Sequence, residues 1–345
     1  MLKKLLIAGV AITLIGVIVL VVLNYRSKNS SSSQTPVVVS PIAAPTDFHW
    51  GAQLRAYNLS TFDAAEVHQS IADQIALAKE LKLTDIRANI EASDVVNDDF
   101  VNQTIAAGLN PVVIIEPNYS VAGFNRQSAY DYAYKYALRY KGKVHYYQLA
   151  NEASGVTLKP THGGDKTDDY DVAKYQAFKE LLLGFSEGVY AADPAAKRII
   201  SSNWVGVAVI DKLITDQVKF EVIGWNWYSS MGNDLIVKAS GNTLNIPEYL
   251  KKYGKPIWVV ELNRTEGTLD GNLSAQSDFL YTFINNTLSH NNINGIFVYL
   301  LTDQCAELSK GVGNMGIVKL IKSGTTCTLG DKKPAFTTYK NIISQ

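Results

Sequence analysis

Cysteine and histidine are both scarce in this chain, and their scarcity argues against a metal site. Two cysteines and five histidines occur among 345 residues, and the histidines lack the spacing of zinc ligands. A phosphate-binding loop is missing too, because the glycine-rich run GVGNMG at 311–316 has no lysine-serine pair beside it. We interpret that run as a turn. We therefore expect neither a metal nor a cofactor.

An excess of charge of either sign is also missing. Lysine and arginine total 32, as do aspartate and glutamate, and no long basic run follows the amino-terminal segment. Proteins that bind nucleic acid normally carry a basic patch, so we expect no nucleic-acid partner. The hydrophobic content of 47% is enough for a large core and excludes a mostly disordered chain.

One long apolar run is present, at the amino terminus. Residues 5–23 carry no charge, and this length approaches the ~20 residues that a helix needs to cross a bilayer. A cleaved signal peptide would have a shorter apolar core and a small-residue cleavage site, which Asn24, Tyr25 and Arg26 do not provide. We predict a transmembrane signal anchor over residues 1–25, with a cleaved and secreted form as the alternative.

The anchor is followed by a segment with the composition of a linker. Residues 26–46 are rich in serine, proline and threonine, a composition typical of a tether between folded parts. Such a tether would hold a folded domain away from a membrane surface. We therefore predict a single-pass protein of the cell membrane whose remaining residues, 47–345, lie outside the cytoplasm.

Strand and helix patterns alternate regularly from residue 47 onward. Eight short runs rich in valine, isoleucine and aromatic residues predict strands. These runs are 48–55, 83–91, 111–117, 144–152, 198–204, 222–229, 256–263 and 295–303. Eight strands that alternate with helices predict a (β/α)8 TIM barrel at 47–345, which we expect to be monomeric.

The carboxyl ends of these strands carry the candidate functional residues, because active sites of such barrels lie there. The strands themselves are apolar, whereas their ends are polar, acidic or aromatic. The end residues are Arg55, 87–91, 116–119, Asn151, Glu152, Asn203, Trp204, Tyr228, Glu261 and 299–303.

Two of these end residues, Glu152 and Glu261, are glutamates that terminate apolar strands four and seven. A single such glutamate is more often a solvated loop residue. A pair could face each other across one pocket, which is the arrangement that glycoside hydrolysis needs.

The sequences around the two glutamates resemble those of glycoside hydrolase clan A. The resemblance lies in QLANEA on strand four and WVVELN on strand seven, and in the closing GIV and KPAF segments at 316–318 and 333–336. It implies a barrel enzyme that hydrolyses β-glycosidic bonds of a poly- or oligosaccharide with retention of configuration. Glu152 would be the general acid/base and Glu261 the nucleophile.

The resemblance also implies roles for three neighbours of these glutamates. Asn151 would donate a hydrogen bond to the sugar 2-hydroxyl, Arg87 would support Glu261, and Tyr228 would hydrogen-bond it. From its position alone, Arg87 could equally form a structural ion pair with Asp85 or Glu91. The sequence departs from the family pattern where Ala153 replaces a proline that often follows the strand-four glutamate.

Aromatic side chains are plentiful, with 19 tyrosines and five tryptophans, and some should contact the sugar. We assign Trp204 to the substrate site. Because neighbouring strand residues face opposite ways, Trp225 could face either the pocket or the helices. Tyr299 is the aromatic nearest to the position where family members often carry a tryptophan under the sugar. His49 is also assigned as a substrate contact.

Two other functions remain as alternatives. The first is a catalytically inactive carbohydrate-binding barrel at the cell surface, against which the intact Asn151, Glu152 and Glu261 argue. The second is a Schiff-base lyase, which would need a lysine at a strand end. Cys305 and Cys327 could form a disulfide outside the cytoplasm or remain two buried thiols.

Overall fold

The structure is a computed structural model that describes residues 44–55, 70–91, 93–115, 125–290, 292–324 and 326–345. The anchor predicted at 1–25 and most of the linker lie outside the described residues, as do the candidate residues 116–119. In the described part, no helix is both long and apolar enough to span a bilayer.

Eight parallel strands close into a barrel, which confirms the predicted (β/α)8 fold. Neighbouring strands around the barrel follow the order β1, β10, β9, β6, β5, β4, β3 and β2. They are β1 (His49–Gln53), β2 (Asp85–Asn89), β3 (Asn110–Ile114), β4 (Tyr146–Ala150), β5 (Lys197–Asn203), β6 (Val222–Tyr228), β9 (Ile257–Asn263) and β10 (Ile293–Val298). Since all strands run the same way, their carboxyl ends form one common rim.

Helices cover the outside of the barrel in the predicted alternation. They are α1 (Ile71–Leu81), α2 (Asp94–Ala106), α3 (Arg126–Arg139), α4 (Ala153–Thr157), α5 (Val172–Ala192), α6 (Val207–Thr215), α7 (Ile246–Leu250), α8 (Leu273–Leu288) and α9 (Pro334–Ile343). Side-chain caps fix the first residues of two of these helices. Ser70 caps α1 by accepting a hydrogen bond from the Asp73 amide, and Asp171 caps α5 through the Lys174 amide.

Two antiparallel hairpins lie outside the barrel and were not predicted. One joins β7 (Ile236–Ala239) to β8 (Asn242–Asn245), and the other joins β11 (Val318–Ser323) to β12 (Thr326–Lys332). A disulfide links Cys305 to Cys327 on β12. It is buried with Leu320 in a small apolar cluster of its own.

The hydrophobic residues form two concentric layers, because side chains of a strand alternate between the barrel interior and the helices. The larger layer packs strands against helices. The inner layer fills the barrel axis with Val112, Ile199, Val222, Trp258, Val260 and Phe297. Gly51 is needed at this level, since a Cβ atom there would clash with the ring of Phe297.

Candidate active site

Glu261 reaches the barrel interior because of an irregularity in β9. On this strand Trp258 and Val260 belong to the inner layer, whereas Val259 and Leu262 belong to the outer one. Strict alternation would therefore turn Glu261 outward. The register between β6 and β9 slips by one residue immediately before Glu261, and this bulge redirects the carboxylate inward.

Three donors hold the Glu261 carboxylate inside the barrel. Arg87 Nη1 lies 3.0 Å and Asn151 Nδ2 3.1 Å from Oε1, while the Tyr228 hydroxyl donates to Oε2 at 2.7 Å. Glu261 is only 4% exposed. An anion buried to this extent needs such donors, so the arrangement stabilises the ionised form. Arg87 therefore pairs with Glu261, and not with Asp85 or Glu91.

Arg87 is itself immobilised by side chains that the sequence argument did not single out. Its guanidinium donates to Gln148 Oε1 at 2.9 Å, to Asn151 Oδ1 at 3.3 Å and to Gln53 Oε1. Gln53 and Gln148 are both buried and project inward from β1 and β4. Both could have been identified from the sequence, because they occupy inward-facing positions of strands that were correctly predicted.

Glu152 stands immediately beyond β4 in a left-handed backbone conformation, with φ 50° and ψ 54°. Such a conformation is uncommon for a residue with a side chain. The Glu152 amide donates to Ser201 Oγ at 3.0 Å, and its Oε1 accepts from Asn226 Nδ2 at 3.1 Å. These two contacts fix the direction of the carboxyl group.

The pKa of Glu152 is raised from 4.5 to about 7, first by burial and then by the negative charge of Glu261. Hydrogen bonds from Asn226 and Asn203 and the charge of Arg87 oppose the rise. Below pH 7 Glu152 therefore keeps its proton, while the Glu261 carboxylate is paired with Arg87. Two carboxyl groups separated in this way can act as acid and as nucleophile.

Asn226 connects the two carboxyl groups and is the main site residue that the sequence argument missed. Its Nδ2 lies 3.1 Å from Glu152 Oε1 and 3.2 Å from Asn151 Oδ1, and Asn151 in turn contacts Glu261. Asn226 lies two residues before Tyr228, so both face inward. The sequence prediction considered the orientation of the neighbouring tryptophan but not that of Asn226.

The tryptophans of β6 face the helices. Trp225 and Trp227 are fully buried in the outer layer, where Trp225 Nε1 donates to the Trp204 carbonyl at 3.0 Å. Trp204 follows β5 with φ 49° and is only half-buried, with its ring 5.7 Å from that of Trp227. The assignment of Trp204 as a substrate contact stays a prediction.

Tyr299 borders the pocket beside Tyr228. The two rings are 6.4 Å apart in an edge-to-face arrangement, and the Tyr299 hydroxyl accepts a hydrogen bond from Arg55 Nη2 at 3.0 Å. The chain turns away after Tyr299. Asp303, which we placed among the strand-end residues, instead forms a buried ion pair with Lys333 at 2.7 Å and ties α9 to the barrel.

The assignment of His49 to the substrate site is wrong. His49 is the first residue of β1, not a residue at its carboxyl end, and Nδ1 contacts Asp85 Oδ2 at 2.9 Å on the first residue of β2. Its ring packs on Trp258 and Tyr146, with centroids 4.2 and 5.3 Å away. His49 therefore lies at the end of the barrel opposite the two glutamates.

Comparisons with solved structures support the same architecture. The chain is similar to a family 1 β-glucosidase from Thermotoga maritima, with a TM-score of 0.60 and 14% identity over 89% of this chain and 99% of that one. It is also similar to a family 39 glycoside hydrolase from the gut symbiont Bacteroides cellulosilyticus WH2. There the TM-score is 0.61 and the identity 15%, over 86% of this chain and 64% of that one.

Sequence comparison adds no closer relationship, since no protein-family model and no curated protein matches this chain. At 14% and 15% identity, the structural likeness shows the fold. The (β/α)8 barrel that the resemblance to clan A glycoside hydrolases implies is thus confirmed.

Proposed function

We propose that this protein is a retaining glycoside hydrolase that cleaves β-glycosidic bonds of a poly- or oligosaccharide. The observation that carries the proposal is the pair of inward carboxyl groups joined through Asn151 and Asn226. One of them has three donors suited to an anion, and burial and the neighbouring charge hold the pKa of the other at about 7. The similarity to a β-glucosidase fold agrees with this chemistry.

The proposed reaction gives the two carboxyl groups different roles. Glu261 attacks the anomeric carbon while Glu152 gives its proton to the departing glycosidic oxygen, which forms a glycosyl-enzyme ester. Formation of the ester removes the negative charge of Glu261. Glu152, now ionised, takes a proton from water as the water cleaves the ester, and the original configuration is restored.

The neighbours of the two glutamates have roles in the same cycle. Arg87 and Tyr228 orient Glu261 for attack and stabilise its charge when it is released. The amide of Asn151 lies between Arg87, Asn226 and Glu261, where it can also donate to the sugar 2-hydroxyl. Hydrogen bonds to that hydroxyl strengthen in the transition state.

Mechanism-based trapping tests the proposal. The full chain, purified in detergent, is treated with a panel of activated 2-fluoro glycosides, and the labelled peptide is identified by mass spectrometry. We expect the label on Glu261, no label in Glu261→Gln, and normal labelling in the control Glu266→Gln, which changes an exposed glutamate on the following loop. A label on another residue, together with activity that survives Glu261→Gln, would refute the assignment.

We also propose that the barrel is held outside the cytoplasm by the segment at 1–25. The uncharged run at 5–23 and the linker composition of 26–46 support this location. The disulfide between Cys305 and Cys327 supports it as well, because disulfides persist mainly in oxidising compartments. Protease treatment of intact cells should digest the barrel while cytoplasmic markers stay intact. Full protection of the barrel would contradict the proposal.

A further inference from the structure

Two charged side chains at the barrel mouth, Arg55 and Glu91, take no part in the network around the two glutamates. Arg55 lies two residues beyond β1, and Glu91 lies two residues beyond β2. Since β1 and β2 are paired in parallel, these two side chains project from neighbouring positions on the rim. Neither is needed for the double displacement described above.

The guanidinium of Arg55 has donors to spare. Nη2 donates to the Tyr299 hydroxyl at 3.0 Å, whereas Nε is buried without a hydrogen-bond partner. No carboxylate of the described residues lies within ion-pair distance of it. A buried donor without an acceptor is costly in free energy, and an acceptor group of a ligand at the barrel mouth would remove this cost.

The position of Arg55 is fixed before any ligand binds. Gln74 on α1 accepts a hydrogen bond from the Arg55 amide at 3.2 Å and donates one to the Arg55 carbonyl at 2.8 Å. The Tyr299 hydroxyl holds the other end of the side chain. Such preorganisation reduces the entropy that binding would otherwise cost.

Glu91 does not neutralise this positive charge. It is 6% exposed, its amide and carbonyl are both bonded to the side chain of Asn97 at 2.8 and 2.9 Å, and no described residue donates to its carboxyl group. Burial raises the pKa of Glu91 to about 8, although the charge of Arg55 opposes the rise. At neutral pH Glu91 is thus mainly a neutral hydrogen-bond donor.

Among the described residues at the barrel mouth, no ionised carboxylate then balances the positive charge of Arg55. Arg87 and Glu261 form an ion pair, and the proposed reaction begins with Glu152 protonated. The rings of Tyr228 and Tyr299 lie between Arg55 and Glu261. Arg55 therefore faces the part of a bound sugar that is away from the anomeric carbon.

We propose that Arg55 determines specificity in the sugar subsite and binds an anionic substituent of the sugar, a carboxylate or a sulfate. The substrate class is then an acidic sugar such as a uronic acid. This placement of the sugar rests on the proposed hydrolase function. Guanidinium groups bind such anions through charge-assisted hydrogen bonds, and protonated Glu91 can donate to the same anion.

Calorimetric titration of the full chain in detergent tests this proposal without relying on turnover. The ligands are the methyl thioglycosides of glucuronic and galacturonic acid, their neutral glucose and galactose counterparts, and 6-sulfated glucose. We expect an acidic ligand to bind at least about tenfold more tightly than its neutral counterpart. Preference for the carboxylate or for the sulfate identifies which anion is used.

Variants assign the preference to one side chain. Arg55→Gln should reduce the acidic-to-neutral affinity ratio by about 10- to 100-fold, and Arg55→Lys should retain part of it. Arg139→Gln, a matched change at an exposed arginine paired with Asp98, should leave the ratio unchanged. Thermal melts of each variant show whether it is folded.

Three results would overturn the proposal: equal or tighter binding of neutral sugars, an acidic preference that persists in Arg55→Gln, or no binding of any of these ligands. Hydrolysis of the corresponding aryl glycosides is measured separately. Acidic sugars that bind through Arg55 but are never cleaved would leave the subsite intact and refute the hydrolase. Cleavage of neutral glycosides alone, with Glu261 labelled, would support the hydrolase and refute the acidic-sugar subsite.

Discussion

The two ends of the barrel interior are built by the same strands but have opposite chemistry. At the amino-terminal end, the first residues of β1 and β2 are His49 and Asp85, which contact each other beneath the rings of Tyr146 and Trp258. At the carboxyl end, Glu152 is held in a left-handed backbone conformation, and burial keeps its pKa at about 7.

The difference lies in the charged groups that each end holds. At the closed end, Asp85 contacts His49 and the Thr84 hydroxyl, the latter at 2.5 Å, while its Oδ1 and the Trp258 Nε1 are buried without hydrogen-bond partners. At the open end, the Arg55 Nε and the Asn226 Oδ1 are also without partners, but here the Arg87–Glu261 ion pair lies beside Glu152. Unsatisfied atoms thus occur at both ends, and the cluster of ionisable groups distinguishes the open end.

Of the changes at the two ends, removal of the nucleophile at the open end should have the largest effect, and it should act on activity. We expect Glu261→Gln to lower kcat on an activated aryl glycoside by about 10⁵-fold, since the covalent step is lost while the barrel keeps its packing. Steady-state kinetics measure the loss. Residual activity within about tenfold of the wild type would mean that another group attacks the sugar.

Removal of the proton donor should have the next largest effect. Glu152→Ala should lower kcat/KM on substrates with poor leaving groups by up to about 10⁴-fold, and azide should restore part of the rate on activated substrates. Because the pKa of Glu152 is about 7, wild-type kcat/KM should fall as pH rises above 7. A variant that keeps this basic limb, or that azide fails to rescue, would count against the role of Glu152.

A change at the closed end should affect stability alone. His49→Ala leaves the buried Asp85 without its ring partner, and we expect a loss of about 1 to 3 kcal/mol in the free energy of unfolding. Activity per folded molecule should stay the same. Chemical denaturation of His49→Ala beside the exposed control His162→Ala measures the difference, and a selective loss of kcat would reopen the question of its role.

The smallest effect concerns the pH dependence of stability at the open end. The pKa of Glu91 rises from 4.5 to about 8 on folding, so the folded state keeps a proton that the unfolded state releases between these values. Wild-type stability should therefore fall as pH rises through this window. Glu91→Gln does not titrate, and its gain over the wild type should be about 3 to 4 kcal/mol larger at pH 8 than at pH 5.

Denaturant titrations at pH 5 and pH 8 check this prediction. Glu248→Gln is the control, because Glu248 has a side chain that is 67% exposed. A gain for Glu91→Gln that is equal at the two pH values would mean that Glu91 is ionised in the folded protein. The open end would then hold one more ionised carboxylate, which would offset the charge of Arg55.

The sequence prediction failed at both ends of the barrel. Short runs rich in valine, isoleucine and aromatic residues identified all eight barrel strands, but they did not tell which end of β1 His49 occupies, because inward positions repeat from one end to the other. Asn226 was overlooked for a related reason. Its importance comes from contacts with Asn151 and Glu152, on a strand distant in sequence.

The sequence by itself determined the eight strands, the (β/α)8 class and the two glutamates at strand ends, because short apolar runs and the residues that end them are local properties. Only the tertiary structure decided that Glu261 points inward, since this depends on a slip in the register between β6 and β9. It also decided which groups stay unsatisfied. Burial and neighbouring charge set the protonation of Glu91 and Glu152, and they exist only when distant strands meet at one rim.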